Sequence, residues 1–272
     1  MTWLPDDVVR HLREVCIEPD LSGTRYRLIS ELGRGGMGVV YLCEDSVLRR
    51  EVALKVTDDP AEALTLAKLE HPGIIPVHDA GTLPDGRGYY VMKRVVGERL
   101  DRHLESVASL AARLRIFQAI CQTVAFAHSR GVRNTDLKPA NIMVGEFGEV
   151  LLIDWGIRAG TPGFAAPERE GDHRSDVYSL GAVLTTMLPP ARPRPLAAIA
   201  AKAMSAAPEA RYGAVTALAA DVGRFLDGEP VSAYRENAWE RSTRILGKHS
   251  TLAALLLAYL IMRGFVLFFF KR

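Results

Sequence analysis

The sequence predicts an α+β chain of two lobes, with a small antiparallel β-sheet first, a mainly helical part after it, and an apolar helix at the C-terminus. Short runs rich in β-branched and aromatic residues, broken by glycine, occupy the first part. From Leu110 onward, apolar residues recur at three- and four-residue spacing, which is typical of helices. These patterns divide the chain into an N-terminal helix and linker (1–24), a strand-rich lobe (25–97), a helical lobe (98–235), a basic segment (236–250) and a membrane-spanning helix (251–270).

The individual elements follow from local patterns. In "MTWLPDDVVRHLREV", acidic residues stand among apolar ones at helical spacing, which predicts a short amphipathic helix from Pro5 to Val15 and excludes a secretory signal. Strands are predicted in "YRLISELGRGGMGVVYLCED", "EVALKV" and "GYYVMKRVV". Helices are predicted in "LAARLRIFQAICQTVAFAHSRG", which ends at Gly131, and in "SDVYSLGAVLTTML", "RPLAAIAAKAM" and "AVTALAADVGRFL".

The stretch from Thr251 to Phe270 holds one charge in twenty residues, the length that crosses about 30 Å of hydrocarbon. Arg263 opposes insertion by about 2.5 to 3.5 kcal/mol, which we expect the surrounding apolar residues to outweigh. Basic residues precede the stretch between Arg235 and Lys248, so the positive-inside rule predicts a single-pass protein of the cell membrane with its main domain in the cytoplasm. A helix packed against the domain or a partner is the alternative.

Composition excludes several other classes of protein. The formal net charge of the 272 residues is only +2, and the basic residues are spread along the chain, so no nucleic-acid partner is indicated. Cys16, Cys43 and Cys121 are odd in number and lack CxxC spacing, which indicates neither a disulfide framework nor a zinc site.

The first chemical signal is "GRGGMGVV", in which Gly33, Gly35 and Gly38 form GxGxxG before Val40. Glycines let backbone amides approach a phosphate chain closely. The pattern alone is weak, because it also marks dinucleotide-binding folds, although there it opens a helix and here a strand continues. Fifteen residues after Val40, Lys55 in "VALK" is a candidate phosphate clamp or simply a solvated lysine at a strand end.

Further motifs then follow in order. "DLKPAN" contains Asp136, Lys138 and Asn141, "LLIDWG" contains Asp154, and "TPGFAAPE" ends at Glu168. Together with the glycine loop and "VALK", they resemble a eukaryotic-type protein kinase, specifically the bacterial, membrane-attached Hanks-type serine/threonine branch, over about residues 25 to 235. This resemblance implies a two-lobed protein kinase-like fold, ATP as a substrate, and phosphoryl transfer to hydroxyl groups of a protein.

The resemblance also implies roles for the motif residues. Asp136 would orient the substrate hydroxyl and accept its proton, and Lys138 would contact the γ-phosphate of ATP. Lys55 would hold the α- and β-phosphates, and Asn141 and Asp154 would bind Mg²⁺, with Mn²⁺ as an alternative.

Other residues would support the nucleotide, the substrate or the fold. Thr161 would help to place the substrate hydroxyl, Asp176 would brace the backbone of the catalytic loop, and Arg211 would pair with Glu168. The residues expected around the nucleotide are Leu32, Gly33, Arg34, Gly35, Gly36, Met37, Gly38, Val40, Ala53, Lys55, Met92, Lys93 and Val95.

Two departures from the family pattern agree with each other. Relatives carry His and Arg before the catalytic Asp, where this chain has Asn134 and Thr135. The arginine normally pairs with a phosphate on the activation loop, and the histidine packs beneath the aromatic residue that is Trp155 here, so a ring is expected to be lost. The activation segment, from Asp154 to Glu168, is only fifteen residues long, which is shorter than in relatives. This predicts kinase activity that does not depend on phosphorylation of the activation segment.

Two further departures concern spacing. Only seven positions separate Lys55 from Glu62, which stands where relatives have the glutamate that pairs with the lysine. "DPAE" also fits a capping box with Asp59 as N-cap, so Glu62 has two possible roles. After Leu188, "PPARPRP" replaces a longer region that helps relatives to bind protein substrates.

Two functions from different classes remain open at this point. The first is a membrane-tethered serine/threonine kinase that uses ATP and Mg²⁺. The second is a pseudokinase that binds nucleotide or partners as a scaffold, which Asn134 and Thr135 suggest and the retained Lys55, Asp136 and Asp154 oppose.

Overall fold

The computed structural model of the chain describes residues 18–35, 38–57, 61–155, 160–168, 171–248, 255 and 258–265. The helix predicted from Pro5 to Val15 lies outside these residues, as do Gly36, Met37 and Cys16. Cys43 and Cys121 are buried free thiols in separate parts of the fold.

The N-terminal lobe is a five-stranded sheet with one short helix. Its strands are β1 (Tyr26–Gly35), β2 (Gly38–Asp45), β3 (Arg50–Thr57), β4 (Val77–Thr82) and β5 (Gly88–Lys93), and the helix is α1 (Ala61–Ala67). The strand order is β1-β2-β3-β5-β4, and every neighbouring pair is antiparallel. The predicted small antiparallel sheet is therefore confirmed.

The two faces of β3 have different surroundings. Val52, Leu54 and Val56 join the apolar cluster on one face of the sheet. Because successive strand residues point to opposite faces, Ala53 and Lys55 are directed to the other face, where Ala53 belongs to the core that continues into the second lobe. The alternation along β3 thus places the lysine toward the cleft between the lobes.

The C-terminal lobe is mainly helical. It contains a three-stranded sheet of order β6-β7-β8, made of β6 (Gly97–Arg99), β7 (Ile142–Gly145) and β8 (Val150–Leu152). Its helices are α2 (Leu100–Ser106), α3 (Leu110–Ser129), α4 (His173–Met187), α5 (Arg194–Ala203), α6 (Val215–Leu226) and α7 (Ala238–Lys248). Short 3-10 turns occupy Pro139–Asn141 and Pro208–Ala210.

Helix α4 begins two residues before the predicted start at Ser175. Asp172 is its N-cap, and the Asp172 carboxylate accepts a hydrogen bond of 2.7 Å from the backbone N–H of Arg174. A capping carboxylate satisfies backbone donors that the helix leaves open, so the chain becomes helical immediately after it.

The C-terminal part differs from the sequence-based expectation in one respect. The segment 236–250 was predicted only as basic, whereas most of it forms α7. Residues 258–265 are also helical, and most of the other positions predicted to span a membrane fall outside the described residues. Within the part of the chain that the structure describes, no helix is both long enough and apolar enough to cross a bilayer.

Candidate active site

The cleft between the lobes contains a buried lysine held by two carboxylates. Lys55 Nζ lies 2.7 Å from Glu62 Oε2 and 3.3 Å from Asp154 Oδ1. Although α1 has only seven residues, Glu62 lies in its first turn and reaches the lysine. The structure therefore brings together the three charged residues that the sequence motifs singled out, while the proposed capping partner Asp59 lies outside the described residues.

The surroundings of this ion pair are poor in water. Lys55 and Glu62 are both buried, and burial is the main cause that raises the pKa of Glu62, with the nearby Asp154 charge adding to it and Lys55 opposing it. The ring of the fully buried Tyr90 lies 5.8 Å from Lys55 Nζ. In such a setting the loss of either charge would leave the other without compensation.

Asp136 is the centre of a hydrogen-bonded group in the second lobe. Its Oδ2 accepts hydrogen bonds from Lys138 Nζ at 2.7 Å and from Asn141 Nδ2 at 3.0 Å. Its Oδ1 accepts from the hydroxyl of Thr161 at 2.7 Å and from the Thr161 backbone N–H at 3.1 Å. Lys138 Nζ also donates to the Thr161 hydroxyl at 2.7 Å. Three polar side chains are thus fixed around one carboxylate.

The residues predicted to bind a divalent cation fit that role. The Asn141 side-chain nitrogen donates to the backbone carbonyl and the carboxylate of Asp136, which leaves the side-chain oxygen of Asn141 as the atom that can act as a ligand. Asp154 Oδ1 lies 3.3 Å from Lys55 Nζ, and the Asp154 side chain keeps 23% exposure, so its carboxylate can reach a cation in the cleft. Carboxylate and amide oxygens are ligands that Mg²⁺ accepts in proteins.

The glycine loop leaves room for a phosphate chain. A Cβ atom added at Gly33 or Gly35 would meet no atom of the described residues within 4 Å, chain neighbours aside, so the described part of the fold leaves space beside these glycines. Gly38 is required for a different reason: its φ is +119°, and a Cβ there would lie 2.1 Å from the Val56 carbonyl oxygen. The backbone of β2 and β3 therefore approaches closely just where the loop turns back.

Several of the residues predicted around the nucleotide lie on paired strands of the N-terminal sheet. Ala53 pairs with Met92 across β3 and β5, and Gly33 pairs with Val40 across β1 and β2. Of the other described members of that group, Leu32, Arg34 and Lys93 are exposed and Val95 is half-buried. Gly36 and Met37 lie outside the described residues.

The Asn134 side chain forms two hydrogen bonds that the sequence motifs did not predict. Its Nδ2 donates to the Asp154 backbone carbonyl at 3.2 Å, and its Oδ1 accepts from the Asp136 N–H at 3.2 Å. The side chain is buried, with 1% of the residue exposed. The expected lost ring is thus replaced by an amide that joins the catalytic loop to the loop carrying Asp154, because a carboxamide offers a donor and an acceptor at once.

Replacing Asn134 by aspartate tests this connection, because the two side chains have the same shape. The carboxylate would still accept from Asp136 N–H but would place an oxygen against the Asp154 carbonyl. A buried acceptor left without its donor costs about 1–3 kcal/mol, so we expect a similar loss of unfolding free energy and a fall in kcat/KM.

Chemical denaturation and steady-state kinetics measure the two effects. The matched control is Asn237→Asp, since Asn237 is exposed and aspartate caps a helix as well as asparagine does. An Asn134→Asp protein as stable and active as the control would show that the amide bond to Asp154 is dispensable.

Asp176 holds the backbone that precedes the catalytic aspartate. Its carboxylate accepts from the N–H groups of Asn134 at 2.9 Å and Thr135 at 3.1 Å, and it lies 2.7 Å from His128 Nε2. Thr135 has a φ of +62°, which is uncommon for a β-branched residue. The sequence motifs predicted the role of Asp176, but nothing in them pointed to His128 as its third partner.

The short activation segment packs directly on the catalytic loop. A Cβ atom at Gly160 would lie 2.8 Å from the Thr135 carbonyl oxygen and 3.0 Å from the Ala165 Cβ. Gly160 therefore lies against the residue that replaces the family's arginine, next to Thr161, which contacts Asp136. Backbone packing at this point links the segment to the active site without a guanidinium or a phosphate.

Glu168 and Arg211 form the expected ion pair. The Arg211 guanidinium donates to both carboxylate oxygens, at 2.6 and 2.7 Å, and it also reaches the carbonyls of Arg174, Ser205 and Ala206. Hydrogen bonds from Arg211 lower the pKa of Glu168 to about 2. The pair ties the end of the activation segment to the loop between α5 and α6.

Comparisons with known proteins agree with this geometry. Residues 26–210 match the family model described as "Protein kinase domain". The chain is 36% identical over 230 residues to the serine/threonine-protein kinase PknD of Chlamydia muridarum, covering 60% of this chain and 24% of that protein. It is 32% identical over 294 residues to PknD of Chlamydia caviae, covering 76% of this chain and 32% of that protein. The chain thus spans only a quarter to a third of the length of these relatives.

Proposed function

Because the chain belongs to the protein kinase family, we propose that it is a catalytically active serine/threonine kinase that transfers the γ-phosphate of ATP to hydroxyl groups of proteins. The strongest support for this proposal is the arrangement of the charged and polar side chains in the cleft. Lys55 contacts Glu62 and Asp154 at the same time as Asp136, Lys138, Asn141 and Thr161 are bonded to one another. Both halves of the phosphoryl-transfer machinery are therefore assembled.

In the proposed reaction Asp136 receives the substrate hydroxyl. Both lone-pair regions of its Oδ1 are used by Thr161, one by the hydroxyl and one by the N–H. An incoming serine or threonine would replace the Thr161 hydroxyl there, while the N–H keeps the carboxylate in place. As the hydroxyl oxygen attacks phosphorus and the bond to the leaving oxygen breaks, Asp136 accepts the proton.

Cations around the transferred group provide most of the remaining stabilisation. Lys138, which is bonded to Asp136 and Thr161, would contact the γ-phosphate, and Lys55 would contact the α- and β-phosphates. Asn141 and Asp154 would hold Mg²⁺, or Mn²⁺ in its place, which would neutralise charge on the phosphate oxygens. A loose, highly charged transition state depends mainly on such positioning and charge.

We also propose that activity does not require phosphorylation of the activation segment. Thr135 cannot pair with a phosphate, and the close contact of Gly160 with the Thr135 carbonyl supports a segment held by packing. We expect the initial rate of label transfer from radiolabelled ATP to casein to be unchanged when the full chain is first treated with a protein phosphatase that is then removed. The control is a sample carried through the same steps with heat-inactivated phosphatase. Loss of most of the activity on treatment alone would refute phosphorylation independence.

Attachment to the cell membrane, with the kinase domain in the cytoplasm, is the final part of the proposal. It is supported by the one charge in residues 251–270 and by helical residues 258–265, where Tyr259, Leu260, Ile261 and Met262 are each at least half exposed. Four consecutive helical residues point to different sides of a helix, and exposed apolar side chains on several sides are typical of a membrane-embedded segment. We expect the chain to stay with membranes in alkaline carbonate, and release into the supernatant would argue against insertion.

A further inference from the structure

Helix α7 is fixed to the second lobe by charged side chains on one side. Arg244 pairs with Glu236 at 2.7 Å and donates to the Gly228 carbonyl at 3.1 Å. One turn earlier, Glu240 accepts from the Tyr234 hydroxyl at 2.8 Å and lies 3.3 Å from Arg194 at the start of α5. Residues four apart share a helix face, so these contacts define the docked side of α7.

The start of α7 is also fixed. Asn237 Oδ1 accepts a hydrogen bond of 2.8 Å from the Glu240 N–H, and a Glu240 carboxylate oxygen accepts one of 3.0 Å from the Asn237 N–H. This reciprocal arrangement is a capping box, which sets where a helix begins. Glu240 therefore serves both the cap and the docking, and the helix cannot rotate without losing both sets of bonds.

The side of α7 that faces away from the lobe has a different character. Trp239 is 77% exposed, and Ser242, three residues later on the same face, is exposed as well. Arg235 lies three residues before the helix begins, and Arg241, two residues after Trp239, lies on the other flank of the exposed side. Both arginines are exposed, and neither forms an ion pair within the described part of the chain. An exposed tryptophan next to unpaired arginines is the side-chain composition of helices that lie at a membrane surface.

We propose that the exposed surface formed by Trp239 and Arg241 on the two flanks of α7, together with Arg235 just before the helix, binds the surface of a bilayer that contains anionic lipids. The place of α7 in the chain supports a bilayer as the occupant, because the apolar stretch that starts at Thr251 follows the helix after only two residues. The proposal therefore builds on membrane attachment. The indole would lie at the level of the headgroups, and the two guanidinium groups would contact lipid phosphates.

Binding in this way would set the orientation of the whole kinase domain. Since α7 contacts Arg194 at the start of α5 and the loop at Gly228, the domain would be held at a fixed angle to the membrane. A flexible basic linker would instead let the domain turn freely above the surface. The surface is thus an interaction site for lipid and a determinant of which proteins can reach the cleft.

Tryptophan fluorescence in vesicles tests the proposal on the full chain. The chain has three tryptophans, and Trp155 is buried. A Trp3→Phe protein, reconstituted in vesicles of phosphatidylcholine and phosphatidylglycerol, would therefore report mainly on Trp239. We expect phosphatidylcholine brominated near the top of its acyl chains to quench this emission, and a protein that also carries Trp239→Phe to lose the quenchable part.

Two further variants define the chemistry of binding. Arg235→Gln and Arg241→Gln are each expected to lower the ratio of lipid-bound to lipid-free α7 by about fivefold in anionic vesicles. Raised salt should also weaken lipid binding by α7 of the unaltered chain. A position control is Phe147→Trp in the protein lacking Trp3 and Trp239, because Phe147 is 93% exposed on the β7–β8 turn. That tryptophan should not be quenched.

The outcomes separate this inference from membrane attachment itself. Quenching confined to Trp239 supports the inference even if alkaline carbonate releases the protein, a result that would refute only the membrane span. Absence of Trp239 quenching in vesicles that retain the protein in carbonate would overturn the inference and leave the span intact. Equal quenching of the tryptophan at position 147 would also overturn it, because contact with lipid would then not be specific to α7.

Discussion

Asp136→Asn is expected to lower kcat for label transfer by about 10²- to 10⁴-fold, the usual contribution of a positioned general base. One oxygen of the Asp136 carboxylate contacts Thr161, which would place the substrate hydroxyl, and the other contacts Lys138, which would bind the γ-phosphate. Among the described residues of the site, no other group contacts both. An amide would remove the proton acceptor. It would also put an N–H₂ group against donors that the carboxylate now accepts from.

Because that second effect could disturb the loop, nucleotide affinity is measured together with activity. We expect the Kd of a fluorescent ATP analogue to change little, since Lys55, Glu62 and Asp154 form a separate group of contacts. The matched control is Asp227→Asn, an exposed aspartate after α6 that should leave kcat unchanged. Transfer undiminished in Asp136→Asn would exclude the proposed base, and a wild-type chain that binds nucleotide but transfers no label would favour the pseudokinase.

Much of the active site could be predicted from the sequence because its parts are local motifs. The alternation in β3 directs Lys55 to the cleft, and "DLKPAN" carries three of the functional side chains within six residues. The pairing of Lys55 with Glu62 was harder to predict, since a capping role explained the same residue. The buried 2.7 Å contact gives Glu62 a position beside the lysine.

The rest depends on contacts between distant parts of the chain. The sequence predicted only that Asn134 lacks the ring of the histidine found in relatives. Its hydrogen bond to Asp154 forms because the catalytic loop and the loop that carries Asp154 meet in the fold, and its side chain also accepts from Asp136. The need for glycine at position 160 is visible only in the fold, because a Cβ atom at Gly160 would lie 2.8 Å from the Thr135 carbonyl oxygen. The docked side of α7 likewise depends on Arg194, which lies 46 positions before Glu240 in the chain.

The second large effect is expected on stability. Arg211→Met should lower the free energy of unfolding by about 3 kcal/mol, the lower end of the cost of breaking a buried ion pair, because the Glu168 side chain keeps 21% exposure. The Arg211 side chain is fully buried, and its removal also leaves three backbone carbonyls without their donor. Together with the hydrogen bond of 3.0 Å from the Ser175 hydroxyl to Glu168, the pair anchors the end of the activation segment.

Urea denaturation at several pH values tests both the size and the cause of the effect. The pKa of Glu168 is about 2 in the folded chain and about 4.5 when unperturbed, so the pair stabilises fully above pH 4.5 and loses that stabilisation as pH falls toward 2. Arg211→Met should therefore lose most of its deficit relative to wild type at low pH. Arg99→Met removes half of an exposed pair with Asp101 and should cost less than about 1 kcal/mol at any pH. A deficit in Arg211→Met that is equally large at pH 7 and pH 3 would assign the loss to the carbonyl contacts of Arg211, and the charge of Glu168 would then contribute little to the anchoring of the activation segment.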